Sequence, residues 1–291
     1  MPKRTRGIAA YLIIALCLLC VALPHAVADD LKGLDLPVFR DRAGFGLGIT
    51  TYSLQTDADL LKGEDPEHSI ELAGLLQAPE DEDVLCFSTT LLVKSAENSR
   101  GKDLLLPQRR RSNKDKKFRA LVPSLKYKNR RGEPLMLSLA ELDSLSLDRP
   151  GTELAELVLV ATAVIVEERE SEEISAQVAD SYNDIGFSTS VQVSSIEVDK
   201  KSEMTVKLNV KHTGNKDLPV IDSVYALDRR GKVLGGGRWS NELELFGNRY
   251  EIELAFPVDG NEKSIDQLRI VLATEYEIEQ IEFTIEDLFT R

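Results

Sequence analysis

The sequence contains few of the side chains on which enzymes and disulfide-stapled domains depend. It has three cysteines, three histidines and one tryptophan among 291 residues. Cys17 and Cys20 lie within the first 28 residues, so beyond that point only Cys86 remains and no internal disulfide can form. Cys86 lies in the apolar run at residues 84–87. We therefore expect a small buried hydrophobic side chain, the alternative being an exposed thiol that is reactive or forms an intermolecular disulfide.

Motifs that bring catalytic or metal-binding groups together are also missing. Beyond residue 28, the zinc patterns His-Glu-x-x-His and Cys-x-x-Cys, the nucleophile motif Gly-x-Ser-x-Gly and a phosphate loop do not occur. We expect His212 to be an exposed turn residue. His68 is expected in a solvated loop, the alternative being a metal site with nearby carboxylates. The acidic residues 80–83 lack the spacing of a calcium loop. The sequence therefore predicts no cofactor and no metal, and favours a protein that is not an enzyme.

The N-terminus has the pattern of an export signal. Lys3, Arg4 and Arg6 precede an apolar run at residues 8–23, and small residues at positions 26 and 28 fit cleavage before Asp29. An uncleaved membrane anchor is the alternative, but the run is shorter than the about 20 residues that a spanning helix needs. We expect a secreted or periplasmic protein with no membrane span after cleavage.

The charge of the chain is strongly negative, with one local exception. A formal net charge of −13 disfavours general binding to nucleic acid or to anionic membranes. The loop at residues 107–119 is basic instead. This loop either binds an anionic partner such as a surface polysaccharide, nucleic acid or lipid headgroup, pairs with acidic patches of this chain or a neighbouring copy, or is a mobile spacer. Its candidate ligand-binding residues are Arg109, Arg110, Arg111, Lys116 and Lys117.

A second candidate site follows three glycines. Residues 235–237 are all glycine and precede Arg238 and Trp239, the sole tryptophan. Because glycine permits a loop or a bulge, this segment could present Arg238 and Trp239 to a ligand. The alternative is that Trp239 covers one end of the core.

Apolar and polar residues alternate over several segments of the second half. Met204, Val206, Leu208 and Val210 alternate with polar residues, which is typical of a half-buried antiparallel strand. The pattern recurs at residues 250–256 and 275–286, with turn residues between the segments. Short strands at this spacing indicate a sandwich of two sheets.

Parts of the two halves resemble each other. Residues 125–135 line up with 224–234, and residues 157–167 with 269–279. We interpret these matches as a duplicated module, the alternative being convergence on common strand–turn–strand chemistry. The strand patterns at 204–211, 224–234 and 270–279 resemble the immunoglobulin-like sandwich modules that occur in tandem in secreted bacterial proteins. That resemblance implies an extracytoplasmic binding or structural role.

Together these patterns predict an all-β protein with two tandem antiparallel β-sandwich domains of immunoglobulin-like type. The expected divisions are a signal peptide at 1–28, a lead-in at 29–43, a first domain at 44–170, a linker at 171–185 and a second domain at 186–291. Insertions at residues 58–83 and 107–119 decorate the first domain. Within the first insertion, Ile70, Leu72, Leu75 and Leu76 have approximate helical spacing and suggest a short helix.

The expected function is that of an exported non-catalytic binding or structural protein of the cell envelope or extracellular space. Its partner would be another envelope protein, a copy of itself, or an anionic surface polymer bound through the 107–119 loop. The alternative is a carboxylate-type or metal-dependent hydrolase acting on an extracellular polysaccharide. Paired carboxylates are defined by their spacing in the fold, so the sequence alone does not identify such a pair.

Overall fold

The computed structural model describes residues 36–57, 67–105, 117–129, 131–147, 154–199, 201–213, 220–239, 242–244, 249–259 and 264–286. The predicted signal peptide and most of the predicted lead-in lie outside these ranges. The described residues are nearly all in β-strands, which confirms the predicted all-β class. No helix within the described ranges is long and apolar enough to span a membrane.

Nine strands come from the first part of the chain and eight from the second. The first nine are β1 (Val38–Arg40), β2 (Gly46–Asp57), β3 (Glu67–Gln77), β4 (Val84–Ser88), β5 (Thr90–Asn98), β6 (Lys117–Ala120), β7 (Val122–Lys128), β8 (Pro134–Leu147) and β9 (Leu154–Ser175). The others are β10 (Asn183–Asp184), β11 (Thr189–Val198), β12 (Glu203–His212), β13 (Val220–Leu227), β14 (Val233–Arg238), β15 (Glu242–Glu244), β16 (Arg249–Pro257) and β17 (Gln267–Glu286).

These strands form two sheets. The larger sheet has 13 strands, and its main path runs β1-β2-β3-β8-β5-β9-β17-β13-β14. β7 pairs with β8, β4 pairs with β9 and β6, and β6 also pairs with β15. The smaller sheet has four strands in the order β10-β11-β12-β16. Among the pairings that the described residues form, only the short one between β5 and β8 is parallel.

Alternate residues of β12 in the smaller sheet are buried, and this alternation corrects the prediction for His212. In β12, Met204, Val206 and Leu208 are fully buried, as their spacing of two predicts. His212 occupies the inward position after Val210 in the same alternation, so it is 5% exposed and not an exposed turn residue. Its Nδ1 lies 3.1 Å from the Thr189 hydroxyl on β11, opposite it in the ladder.

Four hairpin turns share one side-chain chemistry. Asn98, Asn129, Asp199 and Asp228 each accept hydrogen bonds from the backbone N–H groups two and four residues later. The residue three positions after each has a positive φ, and it is glycine in every case except Ser202. The match between residues 125–135 and 224–234 therefore has a local explanation, because both segments contain this turn.

The two longest strands pair with each other. β9 has 22 residues and β17 has 20, and their antiparallel ladder runs from Gln267 opposite Ser175 to Glu286 opposite Glu156. The second sequence match, residues 157–167 with 269–279, thus falls on neighbouring strands of one sheet. The beginning of the predicted linker at 171–185 continues β9 as far as Ser175. The division into two domains stays a prediction.

Both long strands contribute to two separate hydrophobic cores. The first core contains Phe45, Leu47 and Phe87, with the Phe45 and Phe87 rings edge to face at 6.1 Å. It also takes Ile281, Phe283 and Ile285 from the end of β17, far away in sequence. Other residues of the first core are Leu72, Leu76, Leu157, Leu159, Ala161 and Ala163.

The second core lies mainly between the smaller sheet and β13, β14 and β17. Val224, Leu254 and Leu268 belong to it, together with Leu85 and Cys86 of β4. β9 supplies Val164, Val166 and Ile174 to the same core. β4 and β9 therefore each contribute side chains to both cores. The prediction of a buried Cys86 is confirmed, because its side chain is 0% exposed.

Acidic residues cover the unpaired edges of the long strands. Beyond Ile165, β9 pairs with β17 alone among the described strands, and its residues 167–173 are exposed and mostly glutamate. β17 likewise has no second strand partner in the described part after Ala273, and Glu275, Glu277 and Glu279 are exposed there. Like charges along an edge oppose pairing with another chain. The acidic composition thus has a structural use in this fold.

The predicted short helix is wrong for the residues that the structure describes. Residues 67–77 form strand β3, paired with β2 and β8, and residues 59–66 lie outside the described ranges. Ile70, Leu72 and Leu76 are buried in the first core, whereas Leu75 packs on the opposite face of the sheet. Ala73 and Leu75 on the other face are apolar as well, so they interrupt the alternation and the apolar spacing imitates that of a helix.

Candidate functional site

The structure describes only part of the predicted basic loop. Arg109, Arg110, Arg111 and Lys116 lie outside the described residues. Lys117 begins β6, where the register places it opposite Glu244 of β15. Arg119 stands opposite Glu242 in the same pairing. The register thus places basic positions of β6 beside acidic positions of a strand from the second half of the chain, and the predicted pairing of opposite charges stays a prediction.

The three glycines form a strand instead of a ligand-presenting loop. Residues 235–237 belong to β14, and a Cβ on Gly235 would lie 2.1 Å from the Pro257 carbonyl oxygen. A Cβ on Gly236 would lie 2.1 Å from the Tyr225 ring, which stands opposite it in the ladder. The glycines therefore allow close packing of β14. The side chain of Trp239 is 1% exposed and belongs to the second core, so its ring is not offered to a ligand.

Arg238, the other residue of that prediction, belongs to a charge network around a buried carboxylate. Asp222 of β13 is 4% exposed and lies at a bulge between Ile221 and Ser223. Its Oδ1 is 2.9 Å from Nε of Arg238, and its Oδ2 is 2.6 Å from Nε of Arg169 on β9. Two guanidinium groups thus compensate one buried negative charge.

Arg169 extends the network to Asp83, just before β4. Its Nη2 donates to Oδ1 of Asp83 at 2.8 Å, and its Nη1 donates to the other oxygen. The backbone carbonyl of Asp83 also accepts the N–H of Val166 at 2.8 Å. One side chain of β9 therefore ties a loop of the first half to β13 of the second half.

The ionic contacts set the charge states of this network. The hydrogen bond from Arg169 lowers the pKa of Asp83 below its ordinary value, despite an opposing contribution from partial burial. Hydrogen bonds with Asp83 and Asp222 raise the pKa of Arg169. A general acid needs a carboxyl group with a raised pKa, whereas the pKa of Asp83 is lowered. The network acts as a structural tie between strands.

Other chemically active groups are buried or scattered. Desolvation raises the pKa of the Cys86 thiol, so the neutral, unreactive form is favoured. Within the described ranges, no group of three or more His, Cys, Asp or Glu side chains is arranged to hold a metal ion. Of the four acidic residues 80–83, Asp83 is the one held by Arg169.

An exposed basic surface lies farther along the chain than the predicted basic loop at residues 107–119. It comprises β7, the following turn and the start of β8, residues 122–137, which we call the basic hairpin. Ser124 pairs with Leu135 and Lys128 pairs with Pro134, so residues 125–127 bulge out of the ladder. Tyr127 packs against Leu135 and its neighbours and holds the bulge on the sheet.

The bulge presents an aliphatic side chain and a cation to solvent. Leu125 is 80% exposed, the largest exposure among the large hydrophobic residues that the structure describes as exposed. Lys126 follows it, with Nζ 5.3 Å from the centroid of the Tyr127 ring. Val122 and Met136 of the same hairpin are 37% and 39% exposed. Exposed apolar and basic groups therefore occur side by side in a few residues.

Three cations of the basic hairpin have no carboxylate partner among the residues that the structure describes. Lys126, Lys128 and Arg131 are exposed, and none of them forms an ion pair within the part of the chain that the structure describes. By contrast, Lys94 pairs with Glu282 at 2.5 Å and Lys207 pairs with Glu253 at 3.2 Å. The positive charge of the hairpin thus remains available to a partner.

A count of charges by segment shows that the excess of positive charge in the sequence extends to this hairpin. Residues 109–140 contain eleven Lys and Arg against two Asp and Glu, a formal charge of +9 in a chain of −13. The prediction ended the basic segment at residue 119 because it followed the densest run of arginines and lysines. Lys126, Lys128 and Arg131 are spaced along a hairpin, and no local run marks them.

Comparisons with known proteins do not identify a family. No family model matches the chain, and no curated protein matches it. Among solved structures, the chain is similar to one described as "Enterococcal surface protein, partial N-terminal region", at 10% sequence identity and a TM-score of 0.12. The match covers 87% of this chain and 92% of that chain. A likeness at this TM-score carries no argument about fold or function.

Proposed function

We propose that this chain is an exported, non-catalytic binding protein of the cell envelope or extracellular space. In this proposal, the β framework holds the basic hairpin in place and the hairpin binds an anionic partner. The observation that carries the proposal is the set of exposed cations beside Leu125 that form no ion pair in the described part of this strongly acidic chain. Binding residues on a loop or a hairpin of a rigid scaffold are a common arrangement.

Electrostatics supports an anionic partner over a neutral one. Three exposed cations lie within residues 126–131, a stretch of about 20 Å at most when extended. At physiological ionic strength the Debye length is about 8 Å, so charges far from the hairpin are largely screened from a partner bound there. The net negative charge of the whole chain therefore does not prevent local attraction.

The tandem arrangement of two immunoglobulin-like modules belongs to the same proposal. The strand order β1-β2-β3-β8 in the first half corresponds to β10-β11-β12-β16 in the second half. The order β6-β4-β9 likewise corresponds to β14-β13-β17. The two four-strand sets each begin with a short edge strand, β1 or β10, and the pairings in all of these sets are antiparallel. Duplication of one module explains this correspondence, with β9 and β17 as equivalent strands that pair with each other.

The experiment is retention of the full chain on a dextran sulfate resin. We expect retention at low salt and release as salt screens the interaction. The triple variant Lys126→Gln, Lys128→Gln, Arg131→Gln removes the unpaired cations and should elute much earlier. A matched control replaces Lys94, Lys207 and Arg269 with glutamine, because these cations already have carboxylate partners. Equal retention of the two triple variants contradicts the proposal.

A further inference from the structure

The apolar part of the basic hairpin indicates what kind of anionic partner it fits. A soluble polyanion satisfies Lys126, Lys128 and Arg131 but offers no apolar phase to Leu125, which is 80% exposed. An anionic lipid bilayer offers both: phosphate groups at the surface and hydrocarbon immediately beneath. Amphipathic surfaces that combine Lys or Arg with exposed Leu and aromatic groups bind at this interface. We infer that the basic hairpin docks on an anionic lipid surface with Leu125 inserted, an inference that rests on the proposed function.

The geometry of the hairpin favours a lipid surface over an extended peptide that would add a strand to the edge of β7. β7 has β8 as its neighbour on one side and no strand on the other within the described residues. Pro123 lacks a backbone N–H, and the bulge at residues 125–127 interrupts the regular spacing of the edge. An extended peptide therefore finds no continuous row of donors and acceptors along β7. The bulge that disrupts the edge is the same feature that projects Leu125 from it.

Tyr127 and the sheet beneath it give the bulge a fixed base. Tyr127 packs against Leu135 and Leu137, as Leu75 also does, on the face of the sheet away from the first core. Lys126 lies over the Tyr127 ring, so its ammonium is held near the bulge. Leu125 and its neighbouring cations are thus presented on an ordered surface, and little chain entropy is lost when they meet a bilayer.

The strength of the interaction follows from the groups involved. Each Lys or Arg near an anionic membrane surface strengthens binding about fivefold, so the three unpaired cations together contribute about 100-fold. Transfer of most of the Leu125 side chain out of water adds about tenfold. The predicted docking is therefore weak and reversible, and it depends on both anionic lipid and Leu125.

The test is co-sedimentation of the full chain with vesicles of phosphatidylcholine containing a minor share of phosphatidylglycerol. Vesicles of phosphatidylcholine alone provide the neutral comparison. We expect binding to the anionic vesicles, about tenfold weaker binding for Leu125→Ser, and about 100-fold weaker binding for the triple glutamine variant. Ile278→Ser is the matched apolar control, because Ile278 is 44% exposed on β17 and lies outside the hairpin. Circular dichroism checks that each variant retains its strands.

Dextran sulfate separates failure of this inference from failure of the proposed function. Leu125→Ser should weaken vesicle binding and leave dextran sulfate binding unchanged. If the triple glutamine variant loses binding to both but Leu125→Ser binds vesicles normally, the lipid inference is wrong and the proposed function stands. The same conclusion follows if wild type binds dextran sulfate and not the anionic vesicles. If the triple variant binds both as wild type does, both are wrong.

Discussion

Replacing Arg169 with methionine tests the tie between the two halves of the chain. Methionine keeps an apolar stem and removes the guanidinium that contacts Asp222 and Asp83. The Asp222 carboxylate then remains buried with Arg238 as its counterion. Asp83 loses its ionic partner but is half exposed, so water compensates most of that loss.

The expected cost is about 3 kcal/mol in the free energy of unfolding. Breaking a buried ion pair by removing one partner costs about 3–5 kcal/mol, and the remaining Arg238 places this case at the lower end. The exposed contact with Asp83 adds less than about 1 kcal/mol. At about 2–4 °C for each kcal/mol, the melting temperature should fall by about 6–12 °C. Urea denaturation followed by circular dichroism measures the first quantity, and calorimetry the second.

A matched control lies on the same pair of strands. Arg269 of β17 contacts Glu173 of β9 at 2.8 Å, with both side chains more than one third exposed. Arg269→Met should therefore cost less than about 1 kcal/mol. If Arg169→Met destabilises the protein no more than Arg269→Met, the buried network does not hold the halves together and the reasoning is refuted.

Three further predictions concern individual groups. Asp83→Asn should cost up to about 1 kcal/mol at pH 7. That cost should fade as the pH falls through the lowered pKa of Asp83, because a carboxyl group with a lowered pKa stabilises the fold only above that pKa. Urea unfolding at neutral and acidic pH measures the cost at each pH, and a cost that does not change would contradict the prediction. Gly236→Ala should destabilise by about 1–3 kcal/mol through its clash with Tyr225, whereas Gly48→Ala, whose Cβ meets only ordinary contacts, should be near neutral in the same assay. Fluorescence of Trp239 should be blue-shifted and protected from iodide until the protein unfolds, and rapid quenching in the native state would show that it is not buried.

The predictable parts of the fold are those with a local signal. β12 alternates cleanly because one of its faces is buried, so the sequence shows its inward residues up to Val210. β3 was missed because Ala73 and Leu75 are apolar residues on its outer face, and they interrupt the alternation of the inward Ile70, Leu72 and Leu76 with polar residues. His212 was missed because a polar residue occupies an inward position, where the Thr189 hydroxyl on the neighbouring strand lies within hydrogen-bond distance of it.

The site was only partly predictable for related reasons. Charge composition identified a basic segment, and the count over residues 109–140 extends it to the hairpin. The exposure of Leu125 depends on a bulge in the register of β7 against β8, which propensities do not encode. Trp239 was proposed for a ligand from the flexibility of glycine, but the glycines serve close contact with Tyr225 and Pro257.

The sequence by itself determined the all-β class, the turn chemistry at Asn and Asp, the burial of Cys86 and the segregation of positive charge. Each of these depends on near neighbours in the chain or on composition. Only the tertiary structure decided that β9 pairs with β17, that both strands serve two cores, and that Arg169 meets Asp83 and Asp222. These contacts join residues far apart in sequence, and many strands with the same alternation would be acceptable partners. Their choice depends on how the apolar faces of the whole chain are buried together.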